Sequence, residues 1–429
     1  MKKKINKLNV PALYGGKKVI NYKFKAYNTI GREELSSATK VIKTGKLSQF
    51  KASRSKNFYG GYYVRKFENK LKKFYNVKYA ITFNSWTSGL IASLGALNLE
   101  PGDEVITTPW TMSACATAIL HWNAIPVFAD ILPNSFCIDP EEIRKKISKK
   151  TKAILIVDIF GVPCDLKKIK KIIINKNIKI LTDSAQTPYF PISNKLAGTL
   201  SDVGGYSLNC HKHINTGEGG IAVTNNKKIA DRIYKIRNHA EGVVNLDDNL
   251  SNMLGYNFRM GELEAAIGIE QLKKLKKIVF TRNKLFSYLA KKINVLKGIS
   301  VPTSNYKLNN YYIFPIVIDK TILKKNRDEI IKLLKAEGIQ GLVGGYANLH
   351  LLPMFKKKIA YGNSGFPWEK YSKKINYNKD DCPVAEKLHD ETFISFQICL
   401  FSLNKKDIFR IVKAFYKVWS FLKIQNSNI

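Results

Sequence analysis

The sequence predicts an α/β protein with an open, mostly parallel sheet and a smaller α/β domain at its C-terminal end. From about residue 79 onward, short apolar runs alternate with helical stretches, a pattern typical of parallel sheets with crossover helices. Ala153–Phe160 is apolar apart from Asp158, as in a strand covered on both faces. At 429 residues, the chain also exceeds the size that one hydrophobic core usually supports.

The larger domain is predicted to contain short strands at regular intervals. They are Tyr79–Asn84, Glu104–Pro109, Ile125–Asp130, Ala153–Phe160, Ile178–Ala185, Val203–Asn209 and Gly220–Thr224. We expect helices from about Thr87, between the second and third of these strands, and near residues 165–174. Strands joined in this way favour right-handed crossovers.

The later part of the chain has a different pattern. Met260–Val279 predicts a long amphipathic helix, which we expect to lead out of the larger domain. The elements predicted beyond it are a strand at Tyr311–Ile318, a helix at Thr321–Glu337, a strand at Ile339–Gly345 and a helix at about Lys405–Leu422. We therefore predict a large domain with its N-terminal segment over residues 1–275 and a small domain over residues 276–429.

The net charge of +38 raises the question of nucleic-acid or membrane binding. The basic residues are 61 Lys and only 10 Arg, and the lysines are scattered along the chain. Proteins that recognise specific nucleic-acid sequences favour Arg over Lys. No zinc-finger spacing or RNA-binding aromatic signature is present in the sequence. We interpret the charge as compositional bias and predict no specific nucleic-acid partner, with polyanion binding as an alternative.

The cysteines and the apolar stretches exclude other classes. No two of the six Cys form a Cys-x-x-Cys pair, so we predict neither a metal site nor a redox motif. The basic start has no apolar stretch after it, which argues against a signal peptide. The uncharged stretch Val105–Ala129 is interrupted by Pro109 and Pro126, so it is interpreted as the buried centre of the sheet. We expect a soluble, cytoplasmic protein without a membrane span.

Lys212 lies in the strongest motif of the chain. It falls between two predicted strands and just before Gly217-Glu-Gly-Gly220, a turn in which the backbone can approach a bulky ligand. A lysine that forms a Schiff base must lose its proton easily, which a partly desolvated, cation-flanked position promotes. His211 and His213 could supply flanking polarity or be ordinary surface residues. Lys212 is therefore our candidate for covalent catalysis.

Two further segments could hold a ligand. Asp183-Ser-Ala-Gln186 ends a core strand, where open α/β sheets bind ligands. The Asp183 carboxylate could hold a proton on a pyridine nitrogen, or simply cap a turn. Asn84–Gly89 joins a strand to a helix, where N–H groups and hydroxyls form an anion site or a cap.

These three segments, in this order, resemble the DegT/DnrJ/EryC1/StrS family of pyridoxal-phosphate-dependent sugar aminotransferases. The resemblance covers nearly the whole chain, from Lys46-Leu-Ser-Gln49 to Cys382-Pro-Val-Ala-Glu386, and includes the block Gly255–Ala266. It implies the aspartate-aminotransferase fold, called fold type I, with a large, mostly parallel central sheet, helices on both faces and a smaller C-terminal α/β domain. It also implies pyridoxal 5'-phosphate as cofactor.

The resemblance also implies roles for individual residues. Lys212 would carry the cofactor and move a proton between it and the α-carbon of the amino donor. Asp183 would pair with the pyridine nitrogen, and Gln186 would contact the ring hydroxyl. The positions that hold the cofactor phosphate are Trp86, Thr87, Ser207 and, from a neighbouring subunit, Asn257. The active unit should therefore be a homodimer. The positions near the substrate pocket are Arg237, His350 and His211.

At two positions the chain departs from the family pattern. Trp86 stands where the family commonly has glycine, so we expect its side chain to point away from the phosphate. Met112 stands where an aromatic residue usually stacks on the cofactor ring. We expect its polarizable sulfur to cover the ring, with help from Trp110.

The predicted reaction is amino transfer from glutamate or glutamine to a keto sugar. A nucleotide-linked keto-deoxyhexose, as used in polysaccharide biosynthesis, is favoured over a free cyclitol ketone. The residues that could meet a diphosphate, or lie in a solvated loop, are Lys51, Arg54, Lys56 and Arg65. One alternative is a pyridoxal-phosphate-dependent sugar dehydratase, although such family members carry His in place of the lysine. The other is a polyanion-binding protein on a disused catalytic fold.

Overall fold

The computed structural model of the protein describes residues 10–52, 55–240, 253–302 and 308–426. Two sheets dominate it, a seven-stranded sheet in the N-terminal part and a four-stranded sheet in the C-terminal part. The α/β class predicted from the sequence is confirmed.

The strands are short and alternate with helices. They are β1 (Tyr79–Phe83), β2 (Glu104–Thr107), β3 (Ile125–Phe128), β4 (Thr151–Val157), β5 (Lys179–Asp183), β6 (Pro191–Ile192), β7 (Lys195–Leu196), β8 (Val203–Ser207), β9 (Gly220–Thr224), β10 (Ile299–Ser300), β11 (Phe314–Ile318), β12 (Leu342–Gly344) and β13 (Phe393–Phe396). The first seven α-helices are α1 (Arg32–Lys43), α2 (Tyr62–Tyr75), α3 (Trp86–Ala96), α4 (Ala114–Leu120), α5 (Pro140–Lys146), α6 (Leu166–Ile172) and α7 (Lys227–Arg237). The later ones are α8 (Glu262–Ile293), α9 (Lys320–Leu323), α10 (Arg327–Ala336), α11 (Pro353–Lys356), α12 (Trp368–Tyr371), α13 (Pro383–Lys387) and α14 (Lys405–Asn426).

The larger sheet has the strand order β1-β9-β8-β5-β4-β2-β3. Its pairs are parallel except that β9 runs antiparallel to both β1 and β8. On one face, α3 packs with α4 and α7. On the other face, α2 and the first half of α8 cover β1, β8 and β9. Because both faces are covered, its strands are mostly buried, and β4 is apolar from Ala153 to Val157 as predicted.

Two helix predictions were wrong in extent. The helix predicted to end at Val279 continues as α8 to Ile293, because its later turns bury Phe286 and Leu289 in the second core. The helix predicted at Thr321–Glu337 is two helices. Lys324 adopts a left-handed conformation that ends α9, and Asn326 starts α10 with a capping box.

The second sheet is antiparallel, in the order β10-β11-β13-β12. With the second half of α8, α10 and α14, it encloses the second hydrophobic core. The predicted domain boundary between residues 275 and 276 falls inside α8 and stays a prediction. Segments after α8 also reach back, since Phe355 and Trp368 pack into the core of the larger sheet.

Among the residues described here, no helix is both long enough and apolar enough to cross a membrane. The longest, α8, carries charged side chains along its length. The uncharged stretch Val105–Ala129 forms β2, α4 and β3, as predicted.

Candidate active site

Two neighbouring strands end at the same edge of the larger sheet and carry the central residues of the site. β5 ends at Asp183 and β8 at Ser207, and the two strands pair in parallel. Lys212 follows β8 in a turn, where its N–H donates to the carbonyl of Asn209 (2.9 Å). The Asp183 charge acts on the Lys212 ammonium, so the fold brings these two predicted site residues together.

The Lys212 ammonium lies over an aromatic ring from the second half of the chain. Its Nζ is 4.2 Å from the ring centroid of Tyr312, just before β11. Burial lowers the pKa of Lys212, and the charge of Asp183 opposes part of this effect. A lysine that loses its proton more easily is a better nucleophile. The position therefore suits attack on a carbonyl carbon.

The Asp183 carboxylate is buried and held by three donors. Its Oδ1 accepts hydrogen bonds from the indole Nε1 of Trp86 (2.9 Å) and from the amide of Ala185 (2.9 Å). Its Oδ2 faces the Cys115 thiol (3.3 Å). Burial and the Asp183 charge raise the pKa of Cys115, so the thiol keeps its proton and donates. The side chain of Trp86 thus lies beneath the site.

The start of α3 offers free backbone donors. Ser85 caps the helix by accepting from the amide of Ser88 (3.1 Å), and the first intrahelical bond runs from Gly89 N to Ser85 O. The amides of Trp86 and Thr87 precede this bond and have no partner within the helix. Such a pair of N–H groups suits a phosphate.

The other two predicted phosphate ligands lie on segments near this helix start. The Ser207 hydroxyl accepts from the amide of Asn209 (3.2 Å). Asn257 is exposed, and its Oδ1 accepts from Nε of Arg259 (2.8 Å). Asn84 joins this segment to the start of α3, because its amide donates to Phe258 O (3.0 Å).

Both polar atoms of the Gln186 side-chain amide form hydrogen bonds within the protein. Its Oε1 accepts from the amide of Phe160 (2.8 Å), and its Nε2 donates to the hydroxyl of Tyr346 (3.2 Å). Tyr346 follows β12, so a side chain next to the second sheet reaches the edge of the larger sheet. Burial raises the pKa of Tyr346 to about 12, which keeps this hydroxyl protonated.

The two residues expected over the cofactor ring lie in different environments. Met112 is 68% exposed, so its side chain is open to contact with a ligand or a partner chain. Trp110 is fully buried and packs against the rings of Tyr346 (5.5 Å) and Phe393 (5.2 Å). Trp110 therefore packs behind Tyr346. It is not exposed to a ligand and cannot cover the cofactor ring in place of Met112.

The structure does not bring the predicted substrate residues to Lys212. Arg237 is fully buried, and its Nη1 pairs with Glu68 Oε1 at 2.6 Å. His350 is also fully buried and pairs through Nε2 with Glu386 Oε1 at 2.9 Å. His211 is exposed beside Lys212 in the chain, and its amide bonds to Asn209 Oδ1. Buried charges paired in this way hold elements together, so no substrate role is proposed for Arg237 or His350.

Sequence reasoning missed Tyr312, Tyr346 and Cys115. Tyr312 precedes β11 and Tyr346 follows β12, so the aromatic residues at the strand ends of the second sheet were the available signal. Cys115 carried no such signal, because its position on α4 shows its relation to Asp183 only in the folded chain. His213, between Lys212 and β9, is buried and bonds through Nε2 to Asn310 O (2.7 Å).

Comparisons with known proteins identify this architecture. The chain matches the DegT/DnrJ/EryC1/StrS aminotransferase family over residues 44–415. The chain belongs to this family. It is similar to the GDP-perosamine synthase of Vibrio cholerae, with 31% identity over 296 residues, 69% of this chain and 80% of that enzyme.

Solved structures agree with the assignment. The structure of the aminotransferase from Psychrobacter cryohalolentis superimposes with a TM-score of 0.80 at 24% identity, covering 94% of this chain and all of that one. A GDP-4-keto-6-deoxymannose-3-dehydratase with a trapped PLP-glutamate geminal diamine superimposes with a TM-score of 0.74 at 26% identity, covering 92% of this chain and 100% of that one. The fold is that of the fold type I aminotransferases. The protein is a pyridoxal-phosphate-dependent sugar aminotransferase.

The residues of this aminotransferase fit pyridoxal phosphate. Lys212 has an ammonium with a lowered pKa. The amides of Trp86 and Thr87 have no backbone partner among the described residues, and they stand at the start of α3, where an anion is favoured. Asp183 accepts two N–H bonds on Oδ1 and only a weak thiol contact on Oδ2, which leaves Oδ2 able to accept from a cationic N–H.

Proposed function

We propose that this aminotransferase moves an amino group from glutamate or glutamine to a nucleotide-linked keto sugar, most of all a keto-deoxyhexose. The observation that carries the amino-transfer chemistry is the desolvated ammonium of Lys212, which lies over the ring of Tyr312 and is acted on by the charge of Asp183. The nucleotide-linked substrate is supported by the similarity to GDP-perosamine synthase. The amino sugar would serve polysaccharide biosynthesis.

Each central residue has a part in this proposal. Bound pyridoxal phosphate supplies a reactive carbonyl and an electron-withdrawing ring. Lys212 holds the cofactor and, once free, moves a proton at the α-carbon of the donor. Asp183 keeps a proton on the pyridine nitrogen. Gln186, fixed by Phe160 and Tyr346, contacts the ring hydroxyl, and Met112 covers the ring.

The phosphate contacts make the proposed active unit a homodimer. The amides of Trp86 and Thr87 and the hydroxyl of Ser207 would bind the cofactor phosphate from one subunit. Asn257 of the partner subunit would complete this set, since Asn257 is exposed in the single chain. A site shared in this way follows two-fold symmetry, so each subunit would contribute Asn257 to its neighbour.

The nucleotide diphosphate would meet basic side chains before and at the start of α2. Lys51 and Lys56 are exposed, whereas Nε of Arg65 already donates to Gly61 O (3.1 Å). Arg54 lies outside the described residues. Lysines can meet a phosphate as point charges, so Lys51 and Lys56 are the favoured contacts.

The test is a half-reaction followed by product analysis. Protein loaded with pyridoxal phosphate is mixed with glutamate or glutamine, and loss of the visible cofactor band identifies the donor. A panel of nucleotide-linked keto-deoxyhexoses and free cyclitol ketones is then added, and the products are identified by mass spectrometry. We expect a nucleotide-linked amino sugar, and none with the Lys212→Ala variant, because the covalent bond and the proton carrier are both lost.

Other products of the same assay would overturn parts of the proposal. A 3-deoxy sugar without nitrogen would indicate the dehydratase activity of the structural relative. Amination of a free cyclitol ketone, and of no nucleotide-linked sugar, would show that the substrate is not nucleotide-linked. If no donor bleaches the band and the protein holds duplex DNA at physiological salt, polyanion binding would replace catalysis as the proposed function.

A further inference from the structure

Two glycines keep open the space that the Trp86 indole occupies, and a third lets the larger sheet approach its backbone. Its indole lies between the start of α3 and the larger sheet and is only 5% exposed. A Cβ on Gly205 in β8 would stand 1.9 Å from the indole, and one on Gly89 would stand 2.5 Å from it. A Cβ on Gly220 in β9 would meet the backbone of Trp86 at 2.6 Å. The sheet is therefore shaped to accept this side chain.

The indole N–H acts on one oxygen of Asp183. It shares Oδ1 with the amide of Ala185, both at 2.9 Å, so the two lone pairs of Oδ1 are used. Oδ2 then remains for the cofactor nitrogen, with the Cys115 thiol as its weak neighbour. The orientation of the Asp183 carboxylate thus depends on Trp86.

We propose that Trp86 is a positioning residue for the cofactor, acting through Asp183. Its indole N–H holds Oδ1 of the carboxylate, which would leave Oδ2 for the pyridine nitrogen. Its own backbone amide, at the start of α3, would bind the cofactor phosphate. One residue would thereby serve both ends of the site, and the bulky side chain is a functional part of it. This inference does not depend on which sugar is aminated.

The matched variants are Trp86→Phe and Trp419→Phe. The first keeps a ring in the glycine-lined space and removes only the N–H that bonds to Asp183. The second removes the Nε1–H of Trp419, which donates to Lys297 O (2.9 Å) in the second hydrophobic core. The dissociation constant of pyridoxal phosphate is measured for each by equilibrium dialysis of cofactor-free protein. We expect it to rise roughly tenfold for Trp86→Phe, the size expected from losing a hydrogen bond to a charged group. It should stay within about twofold for Trp419→Phe.

A cofactor analogue separates positioning from simple packing. 1-Deazapyridoxal phosphate has a C–H where the pyridine nitrogen stands, so it cannot be held by Oδ2. If Trp86 acts through Asp183, wild type and Trp86→Phe should bind this analogue with nearly equal affinity. A tenfold difference that persists with the analogue would show a packing effect and overturn the proposal.

A spectrum of the cofactor-free protein covers the case in which Trp86→Phe fails to fold. The five tryptophans give five indole N–H signals in a ¹⁵N–¹H correlation spectrum. One signal should lie far downfield, as expected for an indole bonded to a carboxylate, and it should move upfield in Asp183→Asn. The same single signal should shift when pyridoxal phosphate binds. If no indole signal responds to Asp183→Asn, the hydrogen bond does not exist in solution and the proposal fails.

Discussion

The Nζ of Lys212 lies 4.2 Å from the centre of the Tyr312 ring, so an aromatic face from the second half of the chain supports the ammonium of the central lysine. The ring attracts a cation, whereas burial disfavours the same charge. The two effects oppose each other. Tyr312 therefore limits how far burial can lower the pKa of Lys212.

Replacing Tyr312 with Leu should lower the pKa of Lys212 further, because the aromatic face is lost and burial remains. The measurement is the pH dependence of amine modification in cofactor-free protein, followed on the Lys212 peptide by mass spectrometry. Tyr312→Phe is the control, since it keeps the aromatic face. Equal pH profiles for the Leu and Phe variants would show that the ring contributes only packing.

Asp158 should make the stability of the protein fall as the pH rises. Burial raises its pKa to about 7, while Ser184 and the amide of Cys164 bond to its oxygens. Between pH 3.8 and about 7, the folded state therefore keeps a proton on Asp158 that the unfolded state has already lost. Stability is then fully present below this window and lost through it, by up to about 4 kcal/mol from this group.

The Asp158→Asn variant removes this titration and keeps a side chain that can bond to both neighbours. Urea unfolding of cofactor-free wild type and variant at pH 5 and pH 8 gives the comparison. From pH 5 to pH 8, we expect the free energy of unfolding to fall less for the variant than for the wild type. A difference that is the same at both pH values would mean that Asp158 is ionised throughout.

The buried pair of Arg237 and Glu68 should be structural. Arg237→Met leaves the carboxylate of Glu68 buried without its partner, which typically costs about 3–5 kcal/mol. Adding Glu68→Gln should restore much of this stability, because Gln can still accept from the amide of Thr82. Urea unfolding of the cofactor-free proteins checks both expectations.

Steady-state kinetics separate this structural role from substrate binding. In the stable double variant, KM for the sugar should stay within about twofold of wild type, as for a residue outside the pocket. A large rise in KM at unchanged stability would return Arg237 to the substrate site, where its position in the family pattern had suggested it.

Mixing two inactive variants tests the shared site. Lys212→Ala and Asn257→Asp subunits are unfolded together in equal amounts and refolded. If Asn257 serves its neighbour, each mixed dimer has one intact site, and about a quarter of wild-type activity should return. If Asn257 serves its own subunit, every site carries one defect and no activity returns. Lys212→Ala mixed with itself is the control.

The sequence by itself determined the alternation of strands and helices and the residues that end the central strands. Both signals are local. Apolar runs in β4 and β5 show which segments are buried, and polar residues directly after them mark the ligand edge of the sheet. Lys212 was identifiable for the same reason, since its glycine-rich turn lies next to it in the chain.

Only the tertiary structure decided which side chains meet at that edge. Trp86 and Asp183 are 97 positions apart, and Arg237 and Glu68 are 169 positions apart. Tyr312 and Tyr346 lie next to strands of the second sheet. No local pattern encodes these contacts, because each depends on how the sheets and helices pack against one another. Burial then decides which charges must be paired inside the protein, as in Arg237, and which are free to meet a ligand, as in Lys212.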